Sequence, residues 1–387
     1  MNKTENCSNS PDKFEFPILN ASSACCPAPA GNSQNRMAGL DQSFVTGSVN
    51  TPVGPVPQVT SELRRQDKLG AINARWGVGR MDYAVDPGLY ALEKPDSDSP
   101  VLVTANYKMS FDSLRAALPG RNAWILVLDT KGINVWCAAG KGTFGTGELI
   151  NRIELSGLKN VVSHRKIILP QLGAPGVAAH QVKQTSGFKV HYGPIRAEDL
   201  PPYLESGLKT TPAMRIMTFP LKDRAVLIPI EVVAAVKPFL IIALSLFILS
   251  GIGGPAGFWA NTVNYGLFAV LALLSAILSG AALIPLLLPY LPGRAFSLKG
   301  FFTGFVIALI LLYLRNVNLQ AWAGMIEALA WMLIIPAISS YLAMNFTGCS
   351  TYTSLSGVKK EMRWALPAQI AAGALGIVGW TIALLIA

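Results

Sequence analysis

Hydrophobic positions in residues 100–194 follow two alternating periods. The runs VLVTA, AWILVLD and KIILP are continuously apolar, as in strands that are buried on both faces. Between them, SFDSLRAAL, GTGELINRIELSGL and VAAHQVKQTSG carry apolar positions three and four residues apart, which predicts amphipathic helices, and a short strand, FKVHYGP, follows. This alternation predicts an α/β domain with a Rossmann-like parallel sheet and helices on both faces.

The C-terminal part of the chain has long apolar segments instead. Five of them predict an all-α membrane domain of five transmembrane helices, at residues 230–252, 263–291, 301–314, 322–344 and 365–387. All but the third reach or approach the ~20 residues that cross a hydrocarbon core of ~30 Å. The third must recruit Leu298 or other flanking residues, or lie in thinned bilayer. Only ten of the 54 Asp, Glu, Lys and Arg residues follow residue 228. This uneven distribution of charge predicts a water-soluble N-terminal part and a C-terminal membrane part.

Basic residues in the loops predict the orientation. Arg294 and Lys299 lie between the second and third segments, and Lys359, Lys360 and Arg363 lie between the fourth and fifth. By the positive-inside rule we expect a multi-pass protein of the inner membrane, with the α/β domain in the cytoplasm and the C-terminus outside. No basic stretch followed by a short apolar run opens the sequence, so we expect no cleaved signal peptide.

The net charge of +10 could indicate nucleic acid or membrane lipid as a partner. No Lys/Arg-rich run with interleaved aromatic residues occurs in the sequence, so we expect no nucleic-acid binding. A basic cytoplasmic face beside anionic lipid is the better interpretation.

The predicted order of domains is a flexible N-terminal arm (1–60), the α/β domain (61–215), a linker (216–229) and the five-helix transmembrane domain (230–387). The arm is rich in Asn, Ser, Pro and Gly and has few apolar runs, a composition typical of disorder. Residues 69–95 are expected to form a collar on the α/β domain.

Ligands of parallel sheets bind beyond the carboxyl ends of the strands, where residues 104–110, 130–143 and 170–176 are predicted to lie. Cys137 belongs to the second of these segments. Most cysteines outside disulfides pack as small hydrophobic residues. Here, however, the small residues at 138–140 would let a large group approach the backbone, and Lys141 with a following helix start would favour a thiolate. A soft thiolate ligand for a metal held by a large cofactor is therefore the favoured interpretation.

Two nucleotide-binding patterns fail in the glycine-rich stretch AAGKGTFGTG. The phosphate-loop motif needs a glycine where the chain has Val135 and a Ser or Thr where it has Gly142. The dinucleotide fingerprint needs a strand leading directly into Gly140 and an acidic residue at the end of a second strand, and neither is present. The five cysteines include no CxxC pair, so we expect no iron-sulfur cluster bound by this chain alone.

The stretch NVWCAAGKGTFGT, residues 134–146, closely resembles the cap-helix motif of the mercury-methylating corrinoid proteins of the HgcA type. VTANYKMSFDSLR, ILPQLGAPG and NFTGCSTYTSLSGVKKEM are similar to the same proteins and to the related large subunit of the corrinoid iron-sulfur protein of the acetyl-CoA pathway. The resemblance is strong over residues 101–194 and accounts for a membrane tail of five helices. It implies a cobalamin-type corrinoid on the carboxyl edge of the sheet.

By this resemblance Cys137 is the catalytic residue and the lower axial ligand of the cobalt. The Asp-x-His-x-x-Gly motif of histidine-ligated cobalamin domains is absent from the sequence, in agreement with that assignment. Ser110 stands where the family carries Thr, a change that keeps the hydroxyl. The implied cofactor-binding residues are Thr104, Ser110, Asn134, Val135, Trp136, Cys137, Ala138, Ala139, Gly140, Lys141, Gly142, Thr143, Thr146, Gln171, Leu172, Gly173, Ala174 and Pro175.

The activity implied by the resemblance is corrinoid-dependent methyl transfer to Hg(II), which forms methylmercury. A thiolate donates electron density to cobalt strongly, and this favours release of methyl to a soft electrophile. The implied partners are a small ferredoxin with two [4Fe-4S] clusters as reductant and a folate-linked methyl donor system.

Two other functions stay open. The chain could be a methyl carrier for carbon metabolism, or a transporter or anchor with a corrinoid-sensing domain. A transporter should have several polar residues inside its spans, where Glu327 is nearly alone. Glu327 itself could mark a polar path, or could be paired near the outer end of its helix. Cys25 and Cys26 could shuttle Hg(II), although a vicinal pair in an arm is more often incidental.

Overall fold

The computed structural model describes residues 38–346 and 355–387. A seven-stranded mixed sheet forms the centre of the α/β domain, in the spatial order β1-β2-β3-β5-β4-β6-β7. Its strands are β1 (Gly47–Thr51), β2 (Gly54–Val59), β3 (Gly88–Leu92), β4 (Val101–Ala105), β5 (Ala123–Leu128), β6 (Lys166–Leu169) and β7 (Lys189–Tyr192).

The predicted parallel strands are confirmed, and the sheet extends further than predicted. β5, β4, β6 and β7 are parallel neighbours, whereas β3 runs antiparallel to β5 and β1 and β2 form an antiparallel hairpin. The prediction of a flexible arm over residues 1–60 is thus wrong for residues 47–59, which form this hairpin. Residues 88–92, expected to belong to a collar, form a strand in which every residue is buried. GSVNT and GPVPQV are short and contain two prolines, which hides the strand signal.

Helices cover both faces of the sheet, as the sequence predicts. One buried cluster includes Leu126, Phe144 and Leu149, and the cluster on the other face includes Tyr90 and Phe111. The helices of this domain and of the segment that leads to the membrane are α1 (Arg65–Arg75), α2 (Lys108–Ala116), α3 (Val135–Lys141), α4 (Thr146–Leu155), α5 (Leu158–Val161), α6 (Ala179–Ser186), α7 (Leu200–Glu205) and α8 (Leu221–Ala225).

The remaining helices are α9 (Ile228–Leu249), α10 (Phe258–Asn261), α11 (Leu267–Leu278), α12 (Ile284–Leu287), α13 (Phe296–Arg315), α14 (Trp322–Asn345) and α15 (Leu355–Ile386). Within the described residues, five helical stretches are long and apolar enough to cross a membrane. They are Leu221–Leu249, Phe258–Leu287, Phe296–Arg315, Trp322–Asn345 and Gly357–Ile386.

The third span is longer than its apolar run. It begins at Phe296 and includes Leu298, so its 20 residues reach about 30 Å at ~1.5 Å per residue. Lys299, expected in a loop, lies in the first turn of this helix, where its ammonium donates to the carbonyl oxygens of Leu288 (2.7 Å) and Leu291 (2.9 Å). Because these carbonyl oxygens bind the charged ammonium group, α13 can include Lys299 and begin before the apolar run.

The interior of the helical bundle is more polar than the sequence indicated. The hydroxyls of Ser279 and Ser339 lie 2.8 Å apart, and Gln369 donates to Ser340 Oγ at 2.7 Å. Glu327 accepts a hydrogen bond from Arg315 Nε at 2.8 Å, so it is the paired glutamate of the two alternatives. Hydroxyl and amide groups that bond to one another across helices can be buried in a bilayer at low cost.

Candidate functional site

A cleft of about 350 Å³ opens at the carboxyl edge of the sheet. Thr104 is the penultimate residue of β4 and is 3% exposed, and Pro170 and Gly193 directly follow β6 and β7. The first turn of α2 and the start of α3 supply the other walls through Ser110 and Trp136. The cleft therefore lies where the sequence predicts a ligand site, beyond the ends of β4, β6 and β7.

Helix α3 begins at this edge and carries Cys137 in its first turn. Asn134 is the N-cap residue, and its Oδ1 accepts a hydrogen bond from Cys137 N at 2.9 Å. The helix ends at Gly142, whose φ of 81° is a left-handed conformation that glycine adopts readily. The N-cap Asn134 and the C-cap Gly142 thus fix the two ends of a seven-residue helix, and Cys137 lies in its first turn.

The two faces of α3 differ. Val135, Ala138 and Ala139 are buried against the domain, whereas Trp136 is 44% exposed. Cys137 is half-buried and packs against the apolar core beside the sheet. Ala138 and Ala139, which the sequence predicts to let a large group approach the backbone, turn their side chains inward, because the helical period places them on the face of Val135. Gly140 fits that role, since among the described residues no atom lies within 4 Å of a Cβ added there.

A turn of 3₁₀-helix, Gln171–Gly176, packs against α3. A Cβ on Gly176 would meet Phe144 O and the Cα of Ala139, and a Cβ on Gly173 would lie 2.5 Å from the Phe144 ring. These glycines permit the close contact that holds α3 on the domain.

The loops that lead into α2 and α3 meet at Asn106. Its Oδ1 accepts hydrogen bonds from Thr130 N (3.1 Å) and Gly132 N (2.9 Å), and the Thr130 hydroxyl lies 2.6 Å from Ile133 O. Asn106 lies within residues 104–110, which the sequence predicts at the ligand edge of the sheet, but the resemblance does not name it as a site residue. A buried amide directly after a strand is the signal that could have identified it.

The structure brings some of the predicted cofactor residues to the cleft and places others elsewhere. The predicted residues that line it are Thr104, Ser110, Asn134, Val135, Trp136 and Leu172. The predicted residues outside its lining are Cys137, Ala138, Ala139, Gly140, Lys141, Gly142, Thr143, Thr146, Gln171, Gly173, Ala174 and Pro175. Thr146 has a structural contact, since its Oγ1 accepts from Ala178 N at 2.8 Å. Gln171 accepts from Arg215 Nη1 at 3.2 Å.

Arg196 also lines the cleft. The sequence did not predict it as a site residue, because the segment after β7 comes back to the cleft only in the folded chain. Its Nη2 lies 2.6 Å from Asp223 Oδ2 and 3.1 Å from Thr218 O. Since Asp223 belongs to the first candidate span, this ion pair connects the wall of the cleft to the start of the membrane domain.

A buried cluster of four charges holds α2 against α1. Lys108 Nζ lies 2.7 Å from Asp67 Oδ1 and 2.6 Å from Asp112 Oδ2, and Arg115 contacts the same two carboxylates at 2.7 and 2.8 Å. Burial of Asp67 opposes its ionisation, but hydrogen bonds and attraction from Lys108 and Arg115 outweigh burial and lower the pKa of Asp67. The first turn of α2, which contains Ser110, is thereby fixed.

The open face of α3 and the adjacent cleft fit a large planar group. Trp136 offers an exposed aromatic surface, Gly140 leaves space above the helix, and Cys137 supplies a soft donor on the same helix. In the part of the chain that the structure describes, no three His, Cys, Asp or Glu side chains are grouped to hold a metal ion. Cys7, Cys25, Cys26 and Cys349 lie outside the described residues.

The known proteins that this chain resembles match it in the α/β domain. The model of the CO dehydrogenase/acetyl-CoA synthase delta subunit family matches residues 77–204. The gamma subunit of the acetyl-CoA decarbonylase/synthase complex of Methanopyrus kandleri is 34% identical over 124 residues, which are 31% of this chain and 26% of that protein. The gamma 2 subunit of Methanosarcina thermophila is 33% identical over 130 residues, or 33% and 27% of the two chains.

The gamma subunit of Methanocaldococcus jannaschii is 38% identical over 97 residues, or 24% of this chain and 20% of that protein. This chain thus spans about a quarter of the length of these curated relatives. The α/β domain is related to them and contains the cleft and α3. The membrane-spanning helices lie beyond the matched residues.

Proposed function

We propose that the α/β domain binds a corrinoid and that the protein is a corrinoid-dependent methyltransferase. The observation that carries the proposal is the position of Cys137 on a capped helix at the ligand edge of a domain related to subunits of acetyl-CoA-forming complexes. The open face of α3 and the adjacent cleft support it. A bound corrinoid would supply a cobalt-held methyl group for transfer.

The residues of this chain have distinct parts in the proposal. Cys137 would hold the cobalt of the corrinoid through its sulfur, because a thiolate is a soft and strongly donating group. Asn134 holds the first turn of α3 through its bond to Cys137 N, which restricts the approach direction of the thiol. Thr104, Ser110 and Trp136 line the cleft, where the two hydroxyls could bind polar groups of a corrin and the aromatic ring could pack against it. Lys108 is held inside the charge cluster and does not take part.

The methyl acceptor we propose is Hg(II), with methylmercury as the product. The support is the resemblance of residues 134–146 to the cap motif of mercury-methylating corrinoid proteins, together with the softness of a thiolate-ligated centre. We further propose a small ferredoxin with two [4Fe-4S] clusters as reductant and a folate-linked methyl donor system. The alternative acceptor belongs to carbon metabolism, as the names of the relatives indicate.

The test compares full-length wild-type protein with Cys137→Ala, both purified with corrinoid. We expect the variant to fold and to retain corrin through the surrounding backbone, but to show a changed visible spectrum of the cobalt and almost no methylation of Hg(II). Cys137→His is the sharper variant, because it restores a lower ligand while favouring transfer of a methyl cation. The Cys25→Ala, Cys26→Ala double variant is the control and should lose much less activity.

The outcomes separate the parts of the proposal. Wild-type protein that binds no corrinoid would overturn the whole function. An unchanged spectrum in Cys137→Ala, with methylation near the wild-type rate, would make Cys137 a packing residue. A changed spectrum in a protein that never methylates Hg(II) but methylates an acceptor of carbon metabolism would support the alternative acceptor.

The polar interior of the membrane domain favours transport as a second candidate function. Ser279, Ser339, Ser340 and Gln369 form hydrogen bonds between spans, and Lys299 is buried at the start of α13. Uptake of an ion by vesicles that contain the purified protein would support transport. Uptake that is the same in protein-free vesicles would leave these groups with a packing role.

A further inference from the structure

Helix α1 and the turn after it, residues 65–81, present an exposed surface that is both apolar and basic. We call this stretch the interfacial segment. Leu69, Ile72, Trp76, Val78 and Met81 are each between 49% and 64% exposed. In α1 the exposed residues recur at helical spacing, and the basic side chains of the segment alternate with them. These basic residues are Arg65, Lys68, Arg75 and Arg80.

The opposite face of α1 is committed to the α/β domain. Asp67 and Ala74 are buried there, and Asp67 holds Lys108 and Arg115 in the charge cluster. The one acidic residue of the segment therefore points inward and is neutralised, which leaves the outer face cationic. Glu62 and Asp82 flank the segment at its ends. A short helix with one docked face and one apolar, cationic face has the pattern of a membrane-interface helix.

The segment also lies beside the first membrane span. A Cβ on Gly77 would be 3.4 Å from Val233 Cγ1 and 3.7 Å from Ile230 Cδ1, and both of these residues belong to α9. Arg80 is close enough to attract the carboxylate of Glu231, which also lies on α9. The turn after α1 therefore packs beside the start of the first candidate span.

We propose that the interfacial segment is a second membrane contact, which lies in the headgroup layer of an anionic bilayer. Its apolar side chains enter the boundary between headgroups and acyl chains, and Arg65, Lys68 and Arg75 bind lipid phosphates. This contact fixes the orientation of the cleft, because α1 is joined through Asp67 to α2, whose Ser110 lines the cleft. The proposal does not depend on the ligand of that cleft.

The first experiment uses the full chain in lipid nanodiscs that contain brominated phospholipid, which quenches tryptophan near the headgroups. The contribution of Trp76 is the difference between wild type and Trp76→Phe. We expect this contribution to be quenched by brominated lipid and protected from iodide. The matched comparison, made on protein without bound corrinoid, is Trp136→Phe, since Trp136 is 44% exposed on the cleft side, and its contribution should be quenched by iodide instead.

The second experiment tests the charge. Quenching of Trp76 by brominated lipid should increase severalfold as phosphatidylglycerol replaces phosphatidylcholine, and should decrease with added salt. The Arg65→Glu, Lys68→Glu double variant should lose this dependence on lipid charge. The Lys159→Glu, Lys183→Glu double variant changes two exposed lysines on α5 and α6 and should keep it.

Three results would overturn the proposal. The first is a Trp76 contribution that iodide quenches and brominated lipid does not, in neutral and in anionic discs. The second is protection from both quenchers that is removed by deleting residues 1–37, which would assign the face to that segment. The third is protection of Trp76 from iodide only in discs that hold two copies of the protein, which would assign the exposed face to a dimer interface.

Discussion

The side-chain oxygen of Asn106 lies 2.8 Å from the hydroxyl oxygen of Thr130 and 2.9 Å from the backbone nitrogen of Gly132. Asn106 follows β4, and the other two residues lie between β5 and α3. One buried amide therefore connects the two loops from which α2 and α3 start. The position of Cys137 depends on this connection as well as on its own helix.

Replacing Asn106 with Ala should destabilise the α/β domain by about 1–3 kcal/mol, because two backbone N–H groups lose a buried acceptor. We expect a lower temperature of unfolding and faster reaction of Cys137 with a thiol reagent. Asn122→Ala is the control, since Asn122 is exposed and accepts a backbone bond from Lys94 N. Equal reactivity of Cys137 in both variants would show that Asn106 does not position α3.

Removal of the N-cap should loosen α3 itself. Asn134→Ala leaves Cys137 N without its side-chain acceptor and should cost about 1 kcal/mol. Amide hydrogen exchange in residues 135–141 should accelerate while exchange in α4 stays unchanged. Asn134→Ser, which keeps a capping oxygen, should restore most of the protection, and equal exchange in the Ala and Ser variants would contradict the capping role.

The charge cluster predicts a dependence of stability on acid. Since the pKa of Asp67 is lowered from its usual 3.8 in the folded protein, ionised Asp67 stabilises the fold fully above about that pH. This contribution should disappear as the pH falls below 3.8 through the lowered pKa. Hydrogen exchange at α1 and α2, followed from pH 6 to pH 2.5 and corrected for intrinsic rates, measures the effect.

Asp67→Asn should reduce that dependence, and should lower stability at neutral pH by about 3–5 kcal/mol because two buried cations lose a carboxylate. Asp98→Asn changes an exposed carboxylate and provides the comparison. An acid profile identical in wild type and Asp67→Asn would mean that other carboxylates govern acid unfolding.

The contact beneath α3 should not tolerate a methyl group. Gly176→Ala places a Cβ against Phe144 O and Ala139 Cα, and should destabilise the domain by about 1–3 kcal/mol. Gly147→Ala is the matched control, because among described residues no atom lies within 4 Å of its added Cβ and alanine favours the helix. Thermal unfolding of the two variants should move in opposite directions, and equal shifts would refute the close contact.

Loop charges predict the sidedness of the membrane domain. A reporter fused after Ala387 should lie on the opposite side of the membrane from one fused before Met1, since five spans are an odd number. Enzymatic reporters that are active on only one side would measure this. Two cytoplasmic reporters would mean that one of the five helices does not cross.

Much of the fold was predictable from local pattern. β4 to β7 and the helices between them follow from continuous apolar runs and helical spacing. β1 to β3 were not predicted, because their place in the sheet depends on pairing over long sequence distances, as between Gln58 and Ala91. The orientation of α3 could have been predicted from its period, since Ala138 and Ala139 lie on the face of Val135. The place of Arg196 in the cleft could not have been predicted from sequence, because only the folded chain brings this residue to the cleft.

The first span has a consequence for how the protein is assembled. Only 11% of its most apolar stretch is buried, against 56% for the second and fourth spans. Gly300 and Gly304, in contrast, let α13 approach α14 until added Cβ atoms would lie 2.5 Å from Ser340 Cα and 2.7 Å from Pro336 Cα. Among the five candidate spans, the helix that follows the α/β domain is thus the one least packed against the rest of the described chain. During synthesis it can enter the membrane alone, and the tightly packed helices can join it once they have been made.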